Sequence, residues 1–169
     1  MRRPVLAAAL LAAALAAGLA AWRWLGAPAR SDEERVRDLF EGAARAVGEK
    51  RVGDAVAGVS ERFRGLGGWD RAELRRAIAG HVLRGEWLSV TVTGVQVTVD
   101  GDRAHARVAL VAARSGRGAA LADLLPQEGT GLQVEAGLER EQGEWRVVAS
   151  SHRQVPISEA LAGPPEERR

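Results

Sequence analysis

The chain of 169 residues contains no cysteine and no tyrosine, a single methionine and only 4% aromatic residues. Without cysteine there is no lipid-modified N-terminal thiol, no thiolate nucleophile, no zinc–thiolate site and no disulfide framework. Without tyrosine, every mechanism that depends on a phenol is excluded. The three histidines, His81, His105 and His152, show no H-x-H or H-x-x-E spacing, so a short-range metal motif is lacking, and neither a metal nor a cofactor is expected. A strong excess of one charge is missing too, because 24 basic side chains face 22 acidic ones for a formal charge of +2. Arg2, Arg3, Arg23 and Arg30 sit in the first thirty residues, which leaves residues 31–169 with 20 basic against 22 acidic groups, a charge of −2. That balance lacks the basic footprint of a nucleic-acid binder. What remains, 46% hydrophobic and 27% charged residues with 20 Gly and 6 Pro, is the composition of one globular domain.

Residues 1–30 read as an address. Arg2 and Arg3 precede an uncharged, Ala- and Leu-rich run from Val5 to Ala21, followed by Trp22, Arg23 and Trp24. Basic residues before an apolar helix direct a chain to the membrane with its N-terminus inside, and tryptophans mark the interface. Two readings fit. One is a retained single-pass anchor in the inner membrane with the domain on the periplasmic side; the other is a signal peptide cleaved near Ala27-Pro28-Ala29, giving a secreted protein. The run is longer than the usual apolar core of a signal peptide, about 7–15 residues, and Arg23 crowds the cleavage site, so the anchor is favoured.

From residue 31 the hydrophobic period is that of helices. Ser31 with Glu34 forms a candidate capping box, and Val36, Leu39, Phe40, Ala43, Ala44 and Val47 make one apolar stripe. A short second helix is expected over Gly53–Val59, an extended stub at Arg62–Phe63 and a turn over Gly65–Gly68. A second capping box, Asp70 with Glu73, opens a helix to about Arg84 with Leu74, Ala77, Ile78, His81 and Val82 facing inward. After Trp87 the period becomes two. Leu88, Val90 and Val92 alternate with polar residues, then Gly94 shifts the apolar set to Val95, Val97 and Val99, which predicts a β-bulge. Asp100-Gly101 predicts a hairpin turn into a strand over Arg103–Arg114. Residues 115–131 interrupt the sheet. A third strand (Leu132, Val134, Ala136, Leu138) and a fourth (Trp145, Val147, Ala149) meet across Gln142-Gly143, and 154–169 read as a peripheral, partly disordered tail. Helices followed by sheet give an α+β domain over 31–153, with N-terminal helices packed on a curved antiparallel sheet.

Phe63-Arg64-Gly65 running into Trp69-Asp70-Arg71-Ala72-Glu73-Leu74, and the stretch Glu141-Gln142-Gly143-Glu144-Trp145-Arg146-Val147-Val148, resemble the nuclear transport factor 2-like superfamily, which includes SnoaL-like cyclases and ketosteroid isomerases. The resemblance implies a cone-shaped fold with a pocket. The isomerases' tyrosine has no counterpart here, and no Asp matches their base. Trp69, Trp87, His81 and Trp145 are candidates for the pocket wall. His81, His152 and Asp70 are the candidates for acid–base chemistry, each weighed against a plain structural role. His105, between Arg103 and Arg107, is expected on the solvent side. The resulting expectation is a membrane-tethered extracytoplasmic binding or accessory domain, non-enzymatic, taking an apolar ligand, an envelope protein or a second copy of itself. The alternative is a SnoaL-like isomerase, cyclase or hydrolase using a pocket His with an acid.

Overall fold

The computed structural model describes residues 30–84, 89–113 and 129–164. The expected anchor, Trp87 and most of the 115–131 interruption lie outside those residues. Asp32–Arg169 is one compact unit, separate from Met1–Ser31. Among the described residues no helix is long and apolar enough to cross a membrane.

The first helix, α1, spans Asp32–Gly48 and begins directly after Ser31, with Asp32, Glu33 and Glu34 in the first turn where the helix dipole favours negative charge. Its stripe buries Val36, Ala44 and Val47. A single turn, α2 (Val52–Ala55), follows and seats Ala55 against Ala46, Val47 and Val82. The helix α3 (Arg71–Leu83) opens on the expected capping box. The Glu73 amide donates to Asp70 Oδ1 at 2.8 Å and the Asp70 amide to Glu73 Oε2 at 2.9 Å, satisfying two amides that the first turn would leave unpaired.

Five strands form one sheet: β1 (Val59–Gly65), β2 (Ser89–Asp100), β3 (Arg103–Ala113), β4 (Gly129–Glu141) and β5 (Glu144–Val155), in the order β1-β5-β4-β3-β2. The expected stub at Arg62–Phe63 is a full strand, and it runs parallel to β5. The sheet is therefore mixed rather than antiparallel throughout, as parallel partners need a long crossover and here the remaining strands and helices supply it. Both hairpin turns fall where glycine permits a positive φ, 59° at Gly101 and 84° at Gly143.

Two bulges set which side chains face the helices. Between Val92 and Gly94 the pairing of β2 with β3 slips by one residue, as the sequence predicts, so Val90, Val92, Val95, Val97 and Val99 all share the inner face. A second slip, unforeseen, leaves Val148 unpaired between Val147 and Ala149 on β5. It turns Ala149 outward and exposed, and carries Ser150, His152 and Gln154 inward.

The segment expected to be a peripheral tail carries a docked helix among its described residues. Residues Ile157–Ala162 form a helix, α4, whose Ala160 is fully buried with Val111 and Val155 against the outer face of the sheet. Glycines make its seat: a Cβ on Gly131 would lie 2.6 Å from the Val155 carbonyl oxygen, and one on Gly94 2.7 Å from Pro164. Such close backbone approach is what glycine inside a strand is for.

The main core lies at the end of the sheet nearest the start of α1, where Val36, Ala106, Leu138 and Trp145 pack together. Asp32 closes that end. Its Oδ1 accepts from the Trp145 indole N–H at 3.1 Å and its Oδ2 from Arg140 Nη2 at 2.7 Å. The Arg140 guanidinium also stacks 4.7 Å from the Trp145 ring centroid, and its backbone amide donates to the Asp102 carbonyl at 2.9 Å.

Candidate ligand-binding cavity

Between α1, α3 and the inner face of the sheet lies a cavity of about 570 Å³, within the range of small-molecule sites. The wall on α1 is Leu39, Phe40, Ala43 and Val47; that on α3 is Leu74, Ala77, Ile78 and His81, spaced three and four residues apart so that one helix face supplies them all. Opposite them stand Val92 on β2, Leu110 on β3, and Leu132 and Val134 on β4. Leu39, Phe40, Leu74, Ile78, Leu110 and Val134 are only partly buried although they face inward. They border empty space, whereas Val36 and Leu138 at the other end are 0% and 1% exposed.

The polar part of the lining is small and grouped at the mouth. Thr130 begins β4, while Ser150, His152 and Gln154 occupy alternate positions of β5. His81 faces them from α3. Arg84 Nη2 lies 3.5 Å from His81 Nδ1. Among the described residues no Asp, Glu, Lys or Arg lines the cavity, and no three His, Asp or Glu side chains gather as a metal site would require.

The structure sorts the sequence candidates into three groups. Trp69, His81 and His152 line the cavity, Trp69 from the turn before α3 with 42% of its surface exposed. Trp145 does not: it is 5% exposed, packed in the core, and its N–H is consumed by Asp32. Asp70 likewise is spent as the cap of α3 and is absent from the lining. Trp87 lies outside the described residues. His105 is exposed on the outer face, as its alternation with Ala104 and Ala106 predicts. Ser150, Gln154 and Thr130 were not legible as site residues, because polar residues at strand ends ordinarily signal solvent and the Val148 bulge reverses the expected alternation.

Charged pairs lie away from the cavity, at the closed end and across the outer face. The Trp145 and Arg140 hydrogen bonds hold the Asp32 carboxyl below the usual carboxylate range. Arg62 and then Ser60 do the same for Glu141, at 2.7 Å and 2.8 Å. Arg103 and Arg107 on β3 stand across from Glu139 and Glu135 on β4, at 3.8 Å and 3.9 Å.

No family model and no curated protein matches the sequence. Solved structures do. A cystatin-like-fold protein of unknown function from Nostoc punctiforme aligns with a TM-score of 0.58 over 74% of this chain and 92% of its own, at 14% identity. A nuclear transport factor 2-like protein with a cystatin-like fold from Novosphingobium aromaticivorans gives 0.56 over 82% and 86%, at 21% identity. The chain has the nuclear transport factor 2-like fold. A third protein of that fold and of unknown function, from Pseudomonas putida, aligns at 0.56 over 71% and 84% with 13% identity. Identities this low carry the nuclear transport factor 2-like architecture alone, and architecture leaves chemistry to the individual site.

Proposed function

We propose that the protein is a membrane-tethered extracytoplasmic binding domain that holds a small apolar ligand in its cavity. The observation that carries this reading is the cavity of about 570 Å³ walled by partly buried aliphatic side chains, with no carboxylate in its lining among the described residues. Filling it would remove apolar surface from water, at about 25 cal/mol per Å². An acid–base enzyme would need a carboxylate beside His81 or His152, and Asp70, the candidate acid, is engaged in capping. The tether rests on Arg2, Arg3 and the apolar run Val5–Ala21.

Native mass spectrometry of the full chain extracted from producing cells tests the reading. The expected spectrum shows an apolar adduct at one per chain, lost in organic solvent. A chain that carries no adduct and takes up no apolar probe overturns the ligand; a dimer or heteromer mass in its place turns the proposal toward a second copy or an envelope protein. Carbonate washing of membranes tests the tether, which release of the full-length chain into the supernatant would remove.

A further inference from the structure

Polar side chains on this sheet fall into two sets. On the outer side they are paired: Thr93 Oγ1 donates to the Ala160 carbonyl at 2.5 Å, Gln96 Nε2 to the Pro164 carbonyl at 3.1 Å and Gln133 Nε2 to Glu159 at 3.2 Å. On the inner side Ser150, His152 and Gln154 follow one another at every second position of β5. None of these three has a side-chain hydrogen-bond or ion-pair partner among the described residues. At about 3.3 Å per residue the row extends about 13 Å along one wall. Its members offer hydroxyl, imidazole and amide groups, which donate and accept but, in their neutral forms, carry no charge.

We propose that this row is the head-group subsite of the cavity, and that the ligand is an uncharged amphipathic molecule. Its aliphatic or alicyclic body lies against Phe40, Ile78 and Leu110, and its hydroxyl or carbonyl oxygens bond to Ser150, His152 and Gln154. This rests on the apolar-ligand reading above and adds the chemical class. Apolar walls explain the body, unpaired neutral donors and acceptors explain the oxygens, and the absence of charged lining residues among those described disfavours an ionic head, whose desolvation nothing there would offset.

The test uses the full chain in lipid nanodiscs with a photoreactive, diazirine-bearing alkane as the probe. Decane, decanol, decanoate and decylammonium compete with it at pH 8, each expressed as free concentration. Decanol is expected to compete best, and decanoate and decylammonium at least about tenfold less well. Ser150→Ala, His152→Leu and Gln154→Leu should each weaken decanol about two- to tenfold while leaving decane unchanged, which also shows that the variants are folded. Decanoate or decylammonium competing as well as decanol overturns the uncharged class. Decanol affinity unchanged in all three variants overturns the subsite while leaving the apolar-ligand reading intact. If the alkane itself neither labels nor competes, the reading beneath falls, and this inference with it.

Discussion

At one end of the sheet the inward side chains are close-packed and the Asp32 carboxylate is bonded on both oxygens; at the other, aliphatic walls stand apart around a cavity. Asp32, Arg140 and Trp145 close the first end through two hydrogen bonds and a ring contact, over a core of Val36, Ala106 and Leu138. At the second, His81, His152 and Gln154 rim a cavity whose aliphatic lining is only partly buried. The same two layers, helices on sheet, make both. The difference teaches that close packing and open cavity are divided along the length of α1: Asp32 anchors its first turn, and Leu39, Phe40, Ala43 and Val47 wall the cavity.

Substitutions that remove or add volume break this comparison most directly. Leu138→Ala, at 1% exposure, should cost about 2–5 kcal/mol of unfolding free energy in urea titration. Ile78→Ala in the cavity wall should cost only about 1 kcal/mol, because it faces space already present. The reverse change sharpens the contrast. Ala106→Leu, at a fully buried site, should cost about 1–3 kcal/mol by overpacking. Ala77→Leu, which projects into the cavity, should leave stability within about 0.5 kcal/mol and abolish uptake of apolar probes. Equal costs at Ala106 and Ala77 would mean that the cavity is closed in solution.

A third region, the outer face, gives an intermediate effect. Gly131→Ala sets a Cβ 2.6 Å from the Val155 carbonyl oxygen and 3.0 Å from Ala160 Cβ. We expect a loss of about 1–3 kcal/mol, with hydrogen exchange rising first in Ile157–Ala162.

The smallest effect concerns pH. Asp32 and Glu141 have carboxyls held below their ordinary range in the folded state. Their contribution is therefore complete above the unfolded-state pKa, about 4, and disappears as pH falls through the lower folded-state value. Trp145→Phe removes the largest influence on Asp32, so the acid-unfolding midpoint of that variant should move to higher pH. An unmoved midpoint would show that the indole bond contributes nothing to the closed end. Cavity variants such as Gln154→Leu should leave that midpoint where it is.

Much of the local structure was legible because local rules govern it. The Asp70–Glu73 box, the Asp100-Gly101 turn and the bulge before Gly94 each follow from residues within four positions of one another. The strand β1 was harder to see, since Val59 and Phe63 are its only large apolar inward residues and its partner, β5, lies more than eighty positions away in sequence. Long-range pairing also decided Trp145: the composition suggests an aromatic wall, but a carboxylate at the far end of the domain captures the indole. For the site, the α3 stripe placed His81 correctly, whereas simple alternation along the final strand put His152 with Val148 and Ser150, opposite Trp145, Val147 and Ala149. Ser150 and Gln154 escaped notice because a single unpaired residue, Val148, inverts the alternation beyond it. The helix α4 was read as tail since only Ile157, Ala160 and Leu161 lend it apolar character, and its seat is made of glycines on other strands.

The Asp32 contacts have a mechanical consequence. A helix pinned at its first residue and walling a void with its later turns would act as a lever whose far end carries the small cluster of Ala46, Val47, Ala55 and Val82 with it. From Asp32 to Val47 is about 22 Å at 1.5 Å per residue, so a tilt of about 5° at the pinned end would carry Val47 by about 2 Å. The breadth of the mouth would then follow the angle of α1 together with α2, about a fixed pivot. Ligands of different girth could be accommodated by that rotation, with the packing around Val36 and Leu138 left undisturbed.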